Sequence, residues 1–200
     1  MRAGLLIGMV LSLVGGSEAF AVDWLAADSA PLKLSSAGVS ITLPAPQWVK
    51  RSIYDENRLD SVNVRASWMV PVGMDGVAER TVAQIFDADH WELGLFGHLN
   101  DRFFKSCSRP VEKDLDLPDD SPTFSLVYAL CGYNNGTAAG AMLIGLTRDA
   151  GPDLTVDIWY EIPLKPFSAV NKSEWPMSEA ELEATARAID AAVSIEVAAK

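Results

Sequence analysis

The sequence predicts an α+β domain, in which an antiparallel sheet of about five to six strands forms a meander and packs with two main helices. Three observations lead to this prediction. Short segments of alternating apolar residues recur along the chain, and two longer segments have helical periodicity. The second of these opens with the capping box Ser178-x-x-Glu181.

Period-2 alternation predicts the strands. Residues 38–43 alternate and end at Pro44, and residues 62–70 alternate and end at Pro71. Three further strands, at 124–130, 142–146 and 154–162, are expected to form the antiparallel meander. Asn135-Gly136 is typical of a type I′ turn between the first two of them. The polar, acidic segment 109–122 is predicted to be a loop.

Helical periodicity predicts the two helices. Apolar side chains recur every four residues within 89–107, although Gly94 and Gly97 weaken a helix there and would let another backbone approach closely. The closing helix extends from Ser178 to about Ala192, and residues 193–197 are a candidate short last strand.

The amino-terminal residues have the pattern of a secretory signal peptide. Arg2 precedes an apolar stretch at 5–16, and Ala19-Phe20-Ala21 is a small-x-small site that predicts cleavage after Ala21. We therefore expect a periplasmic or secreted protein, with a signal peptide at 1–21, a lead-in at 22–36 and a single α+β domain at 37–200. No other stretch is apolar enough for a membrane span.

Charge restricts the partners. The 200 residues include 16 Lys+Arg and 27 Asp+Glu, a formal net charge of −11. Nucleic acid and anionic lipid both need a basic surface, so neither is an expected partner. An envelope protein or a small ligand remains, and no motif indicates a cofactor.

The two cysteines, Cys107 and Cys131, are predicted to form one disulfide. An exported chain with two cysteines favours this pairing, and neither lies in a C-x-x-C motif.

The segment Val39-Ser40-Ile41-Thr42-Leu43-Pro44, followed by Trp48, resembles the opening of the PsbP-like family of extrinsic photosystem subunits and their relatives. The order of elements is similar over most of the chain, including the closing helix and final strand. Members of that fold are mostly binding or assembly proteins, so the resemblance implies a non-catalytic role. The spacing from Pro44 to Trp48 and the cysteine pair depart from the family pattern.

Residues with catalytic chemistry are few and lack a recognisable spacing. His90 and His98 are eight residues apart, too far along a helix to share one metal, and are interpreted as part of a polar surface face. No G-x-S-x-G segment marks a nucleophile. The acidic run from Glu112 to Asp120 lacks the glycine and terminal Glu of an EF-hand and is interpreted as a solvated loop. We therefore predict no catalytic residue and no metal site.

The aromatic residue Trp159 is the first candidate for a binding surface. It lies with Asp157 and Glu161 on the face of its strand opposite the strong apolar set. Either helices cover both faces of the sheet, which is the favoured interpretation, or Trp159 is exposed in a groove. Trp175, in the long connection 163–176, is a second candidate.

Two hypotheses for function follow. The first is an exported, non-catalytic binding or accessory protein of the bacterial envelope. The alternative is a hydrolase of an envelope polymer that uses a carboxylate pair.

Overall fold

The computed structural model describes residue 25 and residues 29–60, 62–70 and 80–198. The signal peptide and its cleavage site lie outside these ranges. Strands dominate the described residues, which form two antiparallel sheets and two α-helices. The mixed α+β class is confirmed, but the sheets have seven and three strands, so the expectation of five to six strands was wrong.

Ten strands form the two sheets within the described ranges. They are β1 (Leu32–Ser36), β2 (Val39–Leu43), β3 (Ile53–Arg58), β4 (Val64–Met69), β5 (Arg80–Asp87), β6 (Val111–Asp114), β7 (Thr123–Asn134), β8 (Ala139–Asp149), β9 (Leu154–Leu164) and β10 (Ser194–Val197). The large sheet has the order β3-β4-β5-β9-β8-β7-β6, and the small one has the order β1-β2-β10.

The meander β7-β8-β9 is confirmed, as are strands close to the predicted bounds of β2, β4 and β10. The prediction of a loop at 109–122 was wrong at its start, because β6 pairs with β7 there. The type I′ turn was also wrong. In the connection from β7 to β8 the residue with positive φ is Ala138, at 54°, not Asn135 or Gly136. Strand β1 lies within the predicted lead-in and pairs with β2.

The closing helix α2 (Glu179–Ala192) begins with the predicted capping box. The Ser178 hydroxyl accepts from the Glu181 N–H, while the Glu181 carboxylate accepts from the Ser178 N–H. The continuous helix predicted at 89–107 was wrong. This segment is a pair of 3₁₀ turns at 88–93, a four-residue helix α1 (Leu95–His98) and a π-helical turn at 99–104. A glycine, Gly94, precedes α1 and interrupts the helical path.

Each face of the large sheet has its own apolar core. On one face, side chains of β4, β5, β7, β8 and β9 pack against the small sheet and α2. On the other face, a smaller core joins the sheet to α1 and the π-helical turn through Val82, Leu95, Leu99, Phe103, Leu143 and Trp159. This second layer explains why β5 is buried at almost every position rather than alternating.

The disulfide between Cys107 and Cys131 is present, with the sulfurs 2.13 Å apart. It ties the chain just after the π-helical turn to β7, beside the second core. No helix among the described residues is long and apolar enough to cross a membrane.

Candidate functional site

A cleft of about 590 Å³ lies between the large sheet and α1. Its floor comes from β5, β7, β8 and β9, one side from the helical segment and the other from β6. Most of the lining is apolar, supplied by Phe86, Leu95, Phe96, Leu99, Phe124 and Val127. This size and apolar character are typical of sites for small organic ligands.

Two phenylalanines leave much of their surface in solvent at this cleft. Phe96 on α1 is 55% exposed and Phe124 on β7 is 58% exposed. A register shift between Thr123 and Ser125 interrupts the pairing of β7 with β8 at Phe124. Period-2 alternation over 124–130 predicts that Phe124 shares a strand face with Leu126, which packs into the core on the opposite face of the sheet. The bulge instead leaves Phe124 lining the cleft.

Four carboxyl groups, and no basic side chain among the described residues, also line the cleft: Asp157, Glu112, Asp114 and Asp149. Glu112 and Asp114 are two residues apart on β6 and therefore share a face. Desolvation raises the pKa of Glu112, and the charge of Asp114 raises it further. The cleft is therefore both apolar and electronegative.

Asp157 is the buried carboxyl of the cleft, only 2% exposed. Its Oδ2 accepts a hydrogen bond from the Leu95 N–H at the start of α1. Its Oδ1 is buried and has no hydrogen-bond partner of normal geometry among the described residues. Burial raises the pKa of Asp157 to about 6, although the Leu95 N–H, the Thr147 hydroxyl and the Arg65 charge each lower it in part.

Two glycines allow α1 to approach the sheet this closely. A Cβ on Gly94 would lie 2.0 Å from Asp157 Oδ2 and 2.8 Å from Phe86 Cζ. A Cβ on Gly145 of β8 would lie 2.6 Å from Leu95 Cδ2. The sequence predicted that another backbone approaches closely at Gly94, but the groups that a Cβ there would meet are side chains, the Asp157 carboxylate and the Phe86 ring.

Polar side chains surround Trp159 beside the cleft. The His98 ring stacks on the Trp159 ring with centroids 5.1 Å apart, and the Arg65 guanidinium lies 5.0 Å from the Trp159 centroid. His98 Nε2 is 3.2 Å from Glu161 Oε2. His98 is only 6% exposed, so its assignment to a polar surface face was wrong. The prediction failed because the helical segment is irregular and turns His98 toward the sheet.

The structure separates the predicted binding residues into two groups. Asp157, Trp159 and Glu161 share one face of β9, as predicted, but only Asp157 lines the cleft. Trp159 is completely buried, so the favoured covered-sheet interpretation is confirmed and the exposed-groove alternative for Trp159 was wrong. The helical segment 88–104 covers the face of the sheet that carries Trp159. The same segment buries Asp157, which lies on that face.

Trp175 lies in a different place, packed against the other core of the sheet. Its indole N–H donates to the Ala169 carbonyl at 2.7 Å, and its ring meets the Tyr128 ring edge-on. It lines a smaller depression of about 360 Å³ with Lys113, Lys172 and Glu179. The geometry makes Trp175 an anchor of the long connection.

The acidic run does not form a metal centre within the described residues, where no group of three or more His, Cys, Asp or Glu side chains is arranged to hold an ion. Glu112 and Asp114 belong to β6 and line the cleft, whereas the run was interpreted as a solvated loop. Sequence reasoning thus found the acidic residues but missed their strand and their common face.

Sequence reasoning also missed the cleft itself. The available signal was an ionisable residue, Asp157, on the same strand face as a tryptophan, in a strand whose opposite face is strongly apolar. Thr147 and Asp149 both belong to β8, and Thr147 pairs with Asp157 of β9. Only the register between these two strands brings the three side chains together.

No protein-family model, no curated protein and no solved structure matches this chain.

Proposed function

We propose that this chain is an exported, non-catalytic binding protein of the bacterial envelope and that the cleft between the sheet and α1 is its ligand site. One observation carries the proposal: an open, largely apolar cavity of about 590 Å³ is lined by the buried carboxyl of Asp157. One oxygen of this carboxyl has no hydrogen-bond partner of normal geometry in the part of the chain that the structure describes. Preformed apolar pockets with a few convergent polar groups are the usual form of small-ligand sites.

The envelope location is supported by the disulfide, since such bonds persist in oxidising compartments. The signal-peptide pattern of residues 1–21 supports the same location. The resemblance to PsbP-like proteins at residues 39–48 agrees with a binding or accessory role.

The hydrolase alternative has weaker support. A carboxylate pair must flank the scissile bond, with one group acting as acid and the other as base or nucleophile. Asp157 commits Oδ2 to the Leu95 N–H, and burial rather than a second carboxylate raises its pKa. Glu112 and Asp114 lie two residues apart on one face of β6, so both project from the same side of the cleft.

A neutral environment-sensitive dye, N-phenyl-1-naphthylamine, tests the proposal. Its fluorescence should rise when it enters the cleft of the wild-type protein. Ser125→Phe places a ring in the cleft and should weaken dye binding by at least about tenfold, because it fills space that the ligand needs. Ser194→Phe, on β10 of the small sheet, is the matched control and should bind the dye like the wild type.

Failure of the wild type to bind the dye, or equal binding by Ser125→Phe, would contradict the assignment of the cleft. Release of soluble fragments from isolated peptidoglycan, abolished by Asp157→Asn, would instead favour the hydrolase.

A further inference from the structure

The proposed function leaves the chemical class of the ligand open, and the composition of the cleft restricts it. We infer that the cleft binds an amphiphilic organic cation, a molecule with an apolar body and a protonated amine, whose ammonium group pairs with Asp157. This inference rests on the proposed function, because it assumes that the cleft is the ligand site.

The first support is the sign of the charge around the cleft. Its lining holds four carboxyl groups and, among the described residues, no Lys, Arg or His. An anionic ligand such as a fatty acid would meet repulsion from every ionised group there. A cation would meet attraction, strengthened by the low dielectric of the apolar walls and by the net charge of −11 on the whole chain.

The second support is the hydrogen bonding of Asp157, rather than the number of charges around the cleft. Its Oδ1 is buried without a hydrogen-bond partner of normal geometry among the described residues, while its residue lines the cavity. A buried carboxylate oxygen in this state is costly unless a donor satisfies it. An ammonium group carries three donors and a full charge, and so satisfies that oxygen better than a neutral hydroxyl would.

Arg65 does not already fill this role. Its charge acts on Asp157 from β4 and lowers the pKa of that carboxyl. Its guanidinium is placed over the Trp159 ring, outside the lining of the cleft. Thr147 pairs with Asp157 across β8 and β9, and its hydroxyl also lowers the pKa of that carboxyl. Oδ1 nevertheless has no hydrogen-bond partner of normal geometry among the described residues, so a donor from a ligand would satisfy it.

The third support is aromatic. Phe86, Phe96 and Phe124 line the same cavity, and the last two are more than half exposed. Aromatic faces attract cations and also accept apolar chains. One ligand that carries both an ammonium and an apolar body would use the aromatic and acidic parts of the lining together.

Three probes with one apolar body separate the alternatives: 4-phenylbutylamine, 4-phenylbutan-1-ol and 4-phenylbutyrate. Calorimetry at pH 8 and low salt, with dye displacement as a second readout, measures their affinities. The amine should bind roughly ten- to a hundredfold more tightly than the alcohol, as charge-assisted hydrogen bonds imply, and the carboxylate should bind most weakly.

Asp157→Asn should remove most of the preference for the amine over the alcohol. A second variant does not depend on the buried residue: Glu112→Gln, Asp114→Asn and Asp149→Asn together should weaken amine binding by about tenfold and reduce its salt dependence. The control removes the same number of exposed carboxylates elsewhere, with Asp55→Asn, Asp120→Asn and Glu196→Gln, and should bind the amine like the wild type.

Circular dichroism tests whether each variant is folded. If Asp157→Asn is unfolded, the triple variant at Glu112, Asp114 and Asp149 tests the cationic assignment. Displacement of the dye by the alcohol or carboxylate as readily as by the amine would overturn the cationic assignment but leave the cleft as a ligand site. An undiminished amine preference in the folded variants would also overturn it. Absence of any dye binding would overturn the proposed function as well.

Discussion

The Leu95 N–H donates a hydrogen bond to the carboxylate of Asp157, a residue 62 positions later in the chain. This contact fixes the start of α1 against β9 and uses one of the N–H groups that a helix start leaves without an internal partner. It also holds a buried carboxyl at the cleft between helix and sheet. One interaction thus positions both the helical segment and the candidate ligand site.

Replacement of Gly94 by alanine should separate these two elements. The added Cβ would lie 2.0 Å from Asp157 Oδ2, so either the helix or the carboxylate must move. We expect the free energy of unfolding in urea to fall by roughly 1–3 kcal/mol, the usual cost of overpacking.

Gly136→Ala is the matched control for Gly94→Ala. Its Cβ would approach Asn134 Oδ1 no closer than 3.3 Å in an exposed turn, so the free energy should change by less than about 0.5 kcal/mol. Equal stability of the two variants would show that Gly94 is not a tight contact.

The pH dependence of stability should report on Asp157. Its pKa is raised from 3.8 to about 6 in the folded protein, so the folded state binds more protons than the unfolded state in this range. The stabilisation from the protonated form is therefore complete below pH 3.8 and is lost as the pH rises through 6. The shift corresponds to roughly 3 kcal/mol.

Asp157→Asn should lack this dependence while keeping an oxygen that accepts from Leu95. Urea unfolding at intervals from pH 3 to pH 8 measures the free energy of unfolding of the wild type and of the variant. The effects of the other carboxylates are shared by both proteins and cancel in the difference. Parallel pH profiles would mean that burial does not raise the pKa of this carboxyl.

Trp159 should behave as a core residue. It is completely buried between the sheet and the helical segment, so Trp159→Ala should lower the free energy of unfolding by about 3–5 kcal/mol. Ile158→Ala, which opens a cavity on the opposite face, should cost about 2–5 kcal/mol. Leu59→Ala is the exposed control. An unchanged midpoint for Trp159→Ala would contradict the buried position.

Trp175 should anchor its connection without contributing to the cleft. Trp175→Phe removes the hydrogen bond to the Ala169 carbonyl and should cost about 0.5–1.5 kcal/mol of stability. Dye binding should be unchanged, because Trp175 packs against the other core. Loss of dye binding in a folded Trp175→Phe protein would relocate the ligand site.

Loss of the disulfide should destabilise the domain. Cys107 and Cys131 are separated by 24 positions, and closing a loop of this size contributes roughly 3 kcal/mol in the chain-entropy estimate. The double variant Cys107→Ala, Cys131→Ala should lose about that much in urea unfolding. Thiol titration of the denatured, unreduced wild type should find no free thiol, and two free thiols would contradict the pairing.

Local patterns in the sequence were enough to predict the β7-β8-β9 meander, the capping box of α2 and the disulfide pairing. Each depends on residues close together in sequence or on a cysteine pair with no competitor. Strands β3 and β5 gave no such pattern. The first is exposed at every position and the second is buried at almost every position, so neither alternates.

The tertiary structure alone decided the site. The cleft needs the register of β8 with β9, the bulge that exposes Phe124 and the break at Gly94 that lets Leu95 reach Asp157. The sequence placed Asp157 and Trp159 on one strand face by period-2 alternation. Whether that face met water or protein depended on a helical segment more than fifty residues earlier, because burial is a property of packing between distant elements.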